Sequence, residues 1–198
     1  YCRKAEPLLR EHYGGIRWVL NMAQFYRVMS SWYLGRTDEL VRLVPAYLAD
    51  AEAVGDAHAL AGLRTGRGNY YWLVTDCAEE ALANAAGGWR RAPGEGFHLQ
   101  DYFRTLAEVQ GALYQGRAAD ALAIAEEREA GFARSLVRRI QIVRIEWTHA
   151  KARAALAVAA ATSGGERAAA MARARTCVRG VAREQAPWTA PLQAPCEA

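Results

Sequence analysis

The sequence has little of what builds sheets, disulfide frameworks or membrane spans. Valine and isoleucine are scarce beside alanine, which disfavours sandwiches, barrels and doubly wound sheets. The four cysteines contain no CxxC pair, which argues against a disulfide framework and a zinc signature and predicts reduced thiols. The longest apolar run, residues 154–161, is too short to cross a bilayer. We therefore expect a cytoplasmic protein that binds no metal and has no membrane span.

Lysine is also nearly absent, because Lys4 and Lys151 are the only two and arginine carries almost all of the positive charge. This bias, beside abundant alanine and glycine, is typical of a GC-rich genome. The formal net charge of +4 is therefore weak support for a nucleic-acid partner. The chain begins at Tyr1 without an initiator methionine, which predicts that its 198 residues are a fragment of a longer multidomain protein.

Apolar residues make up 52% of the chain and recur mostly at helical spacing, which predicts an all-α fold. We expect one helical-repeat domain over residues 1–198, with a loop at 92–96 and an extended tail at 185–198. The pattern predicts eight helices, at about 16–34, 37–54, 57–74, 78–91, 97–115, 117–130, 133–161 and 166–184. The first helix is expected to have an apolar face (Trp18, Met22, Phe25, Met29, Tyr33) and an opposite polar face (Arg17, Asn21, Gln24, Ser31).

Three turns between predicted helices share a pattern, in which Gly35, Asp76 and Gly116 recur at a period of about 40 residues. Such a period predicts helical hairpins that stack on one another, because a single hairpin cannot bury its own apolar face. The pattern of an aromatic residue, glycine, an acid and a small residue resembles the tetratricopeptide repeat. The resemblance implies a short right-handed α-solenoid of about four helical hairpins, three over residues 16–130 and a fourth at 133–184.

The segments 96–100, 113–116 and 135–144 resemble the C-terminal helical region of large bacterial serine/threonine protein kinases. The glycine-rich loop, the His-Arg-Asp motif and the Asp-Phe-Gly motif of a kinase domain are absent from the sequence. The resemblance therefore implies a non-catalytic regulatory or docking region that needs no cofactor. One alternative is the helical-repeat sensor region of an ATP-dependent bacterial transcriptional regulator. A helical enzyme assembled from distant residues is a further alternative that no local motif supports.

The glycine-dense segment 62–68 lacks the spacing and the lysine of a phosphate-binding loop, so we expect a kink or a close helix contact there. The aromatic residues are expected to fill the core, with the alternative that some line a peptide groove. Trp32 is predicted to pack against the second hairpin near Tyr71 or Trp72.

The predicted helix 133–161 carries the strongest candidate for a binding surface. Its packed face is expected to contain Leu136, Ile140, Val143, Trp147, Ala150 and Ala154, and the opposite stripe Arg134, Arg138, Gln141, Ile145 and His149. Residues 133–185 contain eleven basic and three acidic side chains, although the whole chain carries only +4.

Arginine binds carboxylate and phosphate groups through two parallel hydrogen bonds. The sequence therefore predicts a groove that binds an acidic or phosphorylated protein or peptide segment. Its candidate residues are Arg134, Arg138, Gln141, His149, Asn21 and Gln24; the alternative is a merely solvated face. No catalytic, cofactor-binding or metal-binding residue is predicted.

Overall fold

The computed structural model describes residues 1–12, 17–88 and 96–192. These residues form ten α-helices and two short 3₁₀ helices and contain no strand. The α-helices are α1 (Cys2–His12), α2 (Arg17–Tyr33), α3 (Thr37–Ala53), α4 (Ala57–Arg64), α5 (Tyr70–Val74), α6 (Ala78–Gly88), α7 (Leu99–Tyr114), α8 (Ala118–Arg134), α9 (Gln141–Ala161) and α10 (Gly164–Arg183); the 3₁₀ helices are Leu136–Arg139 and Pro187–Thr189.

The chain divides into two compact units, Tyr1–Trp89 and Arg90–Ala198. Within each unit, helices that are neighbours in sequence pack against one another. The prediction of an all-helical fold is thus confirmed for the described residues, whereas a solenoid of four hairpins and a single domain stay predictions. Helix α1 was not predicted. The predicted loop 92–96 and tail 185–198 lie partly outside the described residues, and the tail contains the second 3₁₀ helix rather than extended chain alone.

The three turns that share a sequence pattern also share a backbone geometry. Gly35, Asp76 and Gly116 all have a positive φ, at 66°, 60° and 71°. In each turn the next residue donates its backbone N–H to a carbonyl five residues earlier, over 2.7–2.9 Å. This arrangement closes the end of the preceding helix and favours glycine, while aspartate tolerates the left-handed conformation better than most residues.

The predicted helix 57–74 is interrupted at residues 65–69. A β-carbon on Gly68 would lie 2.1 Å from the carbonyl oxygen of Leu63, so only glycine fits there. Asn69 holds the interruption by donating its amide to the carbonyl oxygens of Arg64 (2.9 Å) and Ala81 (2.8 Å). The kink expected from the glycine-dense segment is therefore confirmed, and the prediction of one continuous helix is wrong.

The predicted helix 133–161 is also interrupted, because Ser135 and Ile140 have extended backbones with ψ of 156° and 116°. The interruption changes the helical phase, and Leu136 and Ile140 are consequently 72% and 46% exposed rather than packed. The remaining residues of the predicted packed face, Val143, Trp147, Ala150 and Ala154, are buried as predicted.

Each hydrophobic cluster of the described residues lies within one unit. The cluster of the first unit contains Val28, Leu40, Leu43, Val44, Tyr47 and Leu63. The main cluster of the second unit joins α7, α8, α9 and α10, and at its centre the rings of Phe132 and Trp147 stack with centroids 4.3 Å apart. Helices α9 and α10 contribute several alanines to this cluster, among them Ala154, Ala155, Ala170 and Ala174.

Candidate functional site

The connection between α8 and α9, residues 134–141, brings three of the predicted site residues onto one short segment. We call this segment the basic turn. Arg134, Arg138 and Gln141 are exposed on it, and so is Arg139, which the sequence analysis did not select. Within the described part of the chain, the side chains of its three arginines take part in no hydrogen bond or ion pair. Their positive charge is therefore available to another molecule.

The backbone of the basic turn is fixed by Arg144. The guanidinium forms a bidentate pair with Glu184, with both nitrogen–oxygen distances at 2.7 Å. Its Nη1 donates to the carbonyl oxygens of Arg138 (3.0 Å) and Arg139 (2.9 Å), and Gln141 donates to the carbonyl oxygen of Glu184 over 2.9 Å. The hydrogen bond from Arg144 holds the pKa of Glu184 below its usual range, although partial burial opposes this. The turn is thus preorganised.

A wide groove of about 1170 Å³ begins at the basic turn. It is lined by residues 96–101, Arg104, 127–128, 130–131 and 134–137. The N-terminus of α7 opens into this groove, and a helix N-terminus favours negative charge. Arg104 and Arg128 both form ion pairs with Glu108, which leaves Arg134 as the groove arginine without an intramolecular partner in the described ranges. The groove therefore has room for an extended segment beside a free guanidinium.

His149 does not belong to this surface, contrary to the prediction. It lies on α9, largely buried, near Glu146 and Arg153. Burial first, and then the positive charge of Arg153, lowers the pKa of His149 to about 4, so the ring is neutral at pH 7. Ile145, which was placed on the same stripe, is fully buried. The predicted stripe is therefore not one helix face, because the interruption at residues 135–140 turns its two halves in different directions.

Asn21 and Gln24 lie in the other unit and are buried rather than exposed. Asn21 donates to a carboxylate oxygen of Asp56 over 2.6 Å, and Gln24 to that of Asp50 over 3.3 Å. The exposed fraction of Trp18, which was predicted to face the core, is 66%. The predicted orientation of α2 is thus wrong.

The orientation is reversed because acidic residues next to α2 accept hydrogen bonds from the side chains of its polar face, which can therefore be buried. Ser31 on the same face donates to Glu39 of α3 over 2.7 Å. Glu39 and Asp50 are eleven residues apart, which is three helical turns, so both lie on one side of α3. This acidic face was the signal in the sequence that could have revealed the orientation.

Comparison with protein families, with curated proteins and with solved structures finds nothing that matches this chain. Among residues 1–12, 17–88 and 96–192, no three histidine, cysteine, aspartate or glutamate side chains lie close enough to hold a metal ion. None of the helices in these ranges combines the length and the hydrophobicity that a membrane crossing requires.

Proposed function

We propose that this chain is a non-enzymatic protein-interaction region that binds an acidic or phosphorylated segment at the basic turn. The observation that supports the proposal is the set of three exposed arginines, free of intramolecular partners in the described residues, on a turn that Arg144 holds rigid. A guanidinium pairs with carboxylate or phosphate bidentately, and a fixed backbone lowers the entropy lost on binding.

The surroundings of the arginines define the partner further. Leu136 and Ile140 are exposed on the same segment as the arginines, so the preferred partner carries aliphatic side chains among its acids. The groove that begins at Arg134 accommodates the continuation of an extended chain. A phosphorylated residue is an especially suitable anchor, because its oxygens accept several charge-assisted hydrogen bonds.

The cellular context that we propose is the cytoplasmic, non-catalytic part of a bacterial serine/threonine protein kinase. The segments 96–100, 113–116 and 135–144 resemble that region, and two of them contribute to the groove or the basic turn. Binding of a segment there would bias the activity of a distant kinase domain.

The test is a titration of the whole chain with a fluorescent peptide of alternating glutamate and leucine, and with a version that carries phosphoserine for glutamate. We expect the Arg134→Glu/Arg138→Glu variant to bind at least about tenfold more weakly, a loss of about 1.4 kcal/mol. The matched control, Arg167→Glu/Arg175→Glu, changes two exposed arginines of α10 and has the same net charge. It should bind like the wild type.

Equal losses in both variants would show that net charge alone attracts the peptide, and unchanged binding in both would show that the basic turn is not the site. Both variants should melt near the wild-type temperature, because exposed, unpaired arginines contribute little to stability. Binding of random duplex DNA at physiological salt that is lost only in Arg134→Glu/Arg138→Glu would favour nucleic acid as the partner instead.

A further inference from the structure

One face of α2 exposes large apolar side chains along the whole length of the helix. At 3.6 residues per turn, six of them fall within about 100° of the helix circumference and form one strip. We call it the aromatic strip, and its members are Trp18, Met22, Phe25, Tyr26, Met29 and Tyr33. Trp18, Tyr26 and Tyr33 are 66%, 50% and 43% exposed, and the other three are partly exposed. The apolar face that the sequence predicts for α2 is thus turned outward.

The aromatic strip itself carries no charge. Helix α2 contains only two charged residues, Arg17 and Arg27. Nη2 of Arg17 lies 3.3 Å from a carboxylate oxygen of Asp50, and Nη1 of Arg27 lies 2.6 Å from one of Glu6. Acids of the same unit therefore already pair with both arginines. A partner that covers the strip has to be apolar and uncharged where it touches α2.

The exposed surface of the strip is large for a chain on its own. At about 150–250 Å² for an aromatic side chain, its three most exposed members together present on the order of 350 Å². Monomeric proteins rarely expose contiguous apolar patches beyond a few hundred Å². With the partly exposed side chains included, two copies that faced each other would bury about 1,000 Å², which is the lower limit for a specific interface.

The order of the side chains along the strip identifies the partner, because it is symmetric. Read from either end, the steps are four, three, one, three and four residues, and the types are aromatic, methionine, aromatic, aromatic, methionine and aromatic. A two-fold axis between residues 25 and 26 would pair two antiparallel copies of α2. It would place Trp18 opposite Tyr33, Met22 opposite Met29, and Phe25 opposite Tyr26. A two-fold interface requires a surface that is complementary to itself in this way.

We propose that the aromatic strip is the interface of a two-fold symmetric homodimer, in which α2 of one copy packs antiparallel on α2 of the second. Rings meet edge to face near the axis, and the methionine thioethers contact the rings beside them. A membrane surface suits the strip less, because helices that bind there expose lysine or arginine on their polar face. The proposal does not rest on the basic turn, which lies in the other unit, so either proposal can fail alone.

Sedimentation velocity of the whole chain between about 1 and about 100 μM measures the dimer, since an interface of this size gives micromolar affinity. Tyr26→Asp places two carboxylates beside the axis, and we expect it to weaken dimerisation at least about tenfold. Tyr114→Asp is the matched control, because Tyr114 is also 50% exposed and lies in the other unit. It should dimerise like the wild type.

Single cysteines test the antiparallel register. Met22→Cys and Met29→Cys, mixed and oxidised, should give a disulfide-linked dimer above the background that the native cysteines of the wild type produce. Neither variant alone should exceed that background. In the proposed register the two copies of residue 22 are about 10 Å apart along the helix axis, which is too far for a disulfide.

A wild type that stays monomeric up to about 100 μM would overturn the proposal. A dimer that Tyr26→Asp leaves unchanged would use another surface, and equal losses in the two aspartate variants would assign the effect to charge alone. Cross-linking of Met22→Cys with itself would overturn the antiparallel register. Binding to neutral phosphatidylcholine vesicles in place of dimerisation, lost in Tyr26→Asp, would make a membrane the occupant. If Tyr26→Asp does not fold, Trp18→Gln at the end of the strip provides the same test.

Discussion

His149 lies on α9 near two charged side chains, Glu146 and Arg153, and its pKa is lowered to about 4 by burial and by Arg153. In the unfolded chain a histidine has a pKa of about 6.5. As the pH falls below about 6.5, His149 binds a proton in the unfolded state but not in the folded state. The free energy of unfolding therefore decreases progressively until the pH reaches the pKa of His149 in the folded state. Because the ring is partly exposed, the total loss should be about 1–3 kcal/mol.

We predict that His149→Gln, which cannot titrate, flattens the decrease in stability between about pH 6.5 and about pH 4. Urea unfolding of the wild type and the variant at several pH values measures the difference. His58→Gln is the control, because His58 is exposed. A pH profile that is equally steep in the wild type and in His149→Gln would show that the ring does not stay neutral in the fold.

Trp32 was predicted to pack near Tyr71 or Trp72, and its ring lies 5.2 Å from that of the adjacent Tyr70. Trp32, Tyr70 and Tyr71 all pack against the hydrophobic cluster of the first unit, so the predicted neighbourhood is confirmed. The ring of Trp32 is half-buried and also lies beneath the guanidinium of Arg67.

We predict that Trp32→Ala lowers the free energy of unfolding by about 2–4 kcal/mol, somewhat less than for a fully buried tryptophan. Denaturant unfolding measures the loss. Trp18→Ala on the same helix is the control and should cost less than about 1 kcal/mol, since Trp18 is mostly exposed. Similar losses in the two variants would contradict the orientation of α2 described above.

At the scale of the elements, the left-handed turns after α2 and α7 depend on glycine for backbone reasons alone. A β-carbon on Gly35 or Gly116 would meet nothing within 4 Å, so alanine there suffers only from the positive φ. The cost of that conformation to an ordinary residue is about 1–2 kcal/mol. Gly87 also has open space around its β-carbon but lies within α6, where alanine is favoured by about 0.5–1 kcal/mol.

We predict that Gly35→Ala and Gly116→Ala each destabilise the protein by about 1 kcal/mol, whereas Gly87→Ala stabilises it by about 0.5 kcal/mol. The same chemical change thus has opposite signs at sites that are equally open. Thermal and urea unfolding of the three variants measure the effect. Destabilisation by all three would indicate crowding rather than backbone conformation as the cause.

The elements that the sequence predicted well are those fixed by local signals. Helices α3, α7 and α10 begin and end within about two residues of their predicted bounds, because helical periodicity and the turn residues act locally. The helix boundaries at the interruptions 65–69 and 135–140 were not predicted, because they depend on partners that are distant in sequence. Asn69 reaches Ala81, and Arg144 reaches Glu184, 40 residues away. Neither partner can be inferred from periodicity.

At the scale of the whole molecule, the candidate site was predicted in part. Arg134, Arg138 and Gln141 lie together on the basic turn, because they are close in sequence and any local conformation keeps them near one another. His149 lies elsewhere in the same unit, and Asn21 and Gln24 lie in the other unit. Assigning these three to one groove required the phase of α9 and the orientation of α2, which tertiary packing determines.

The second unit has its own core, which joins α7, α8, α9 and α10, and it carries the basic turn and the Arg144–Glu184 pair. Because each hydrophobic cluster of the described residues lies within one unit, the burial that drives folding should survive separation of the chain at that boundary. Residues 96–192 should therefore fold without the first unit.

We predict that residues 96–192 expressed alone are mainly helical, unfold cooperatively in urea and bind the acidic peptide with the affinity of the whole chain. Circular dichroism, urea unfolding and the peptide titration measure these properties. Phe132→Ala in the fragment is the control for a specific core and should cost about 3–5 kcal/mol, because the ring is buried and stacked on Trp147. A gradual transition without a baseline, or one that Phe132→Ala leaves unchanged, would show that the helices need the rest of the chain to pack.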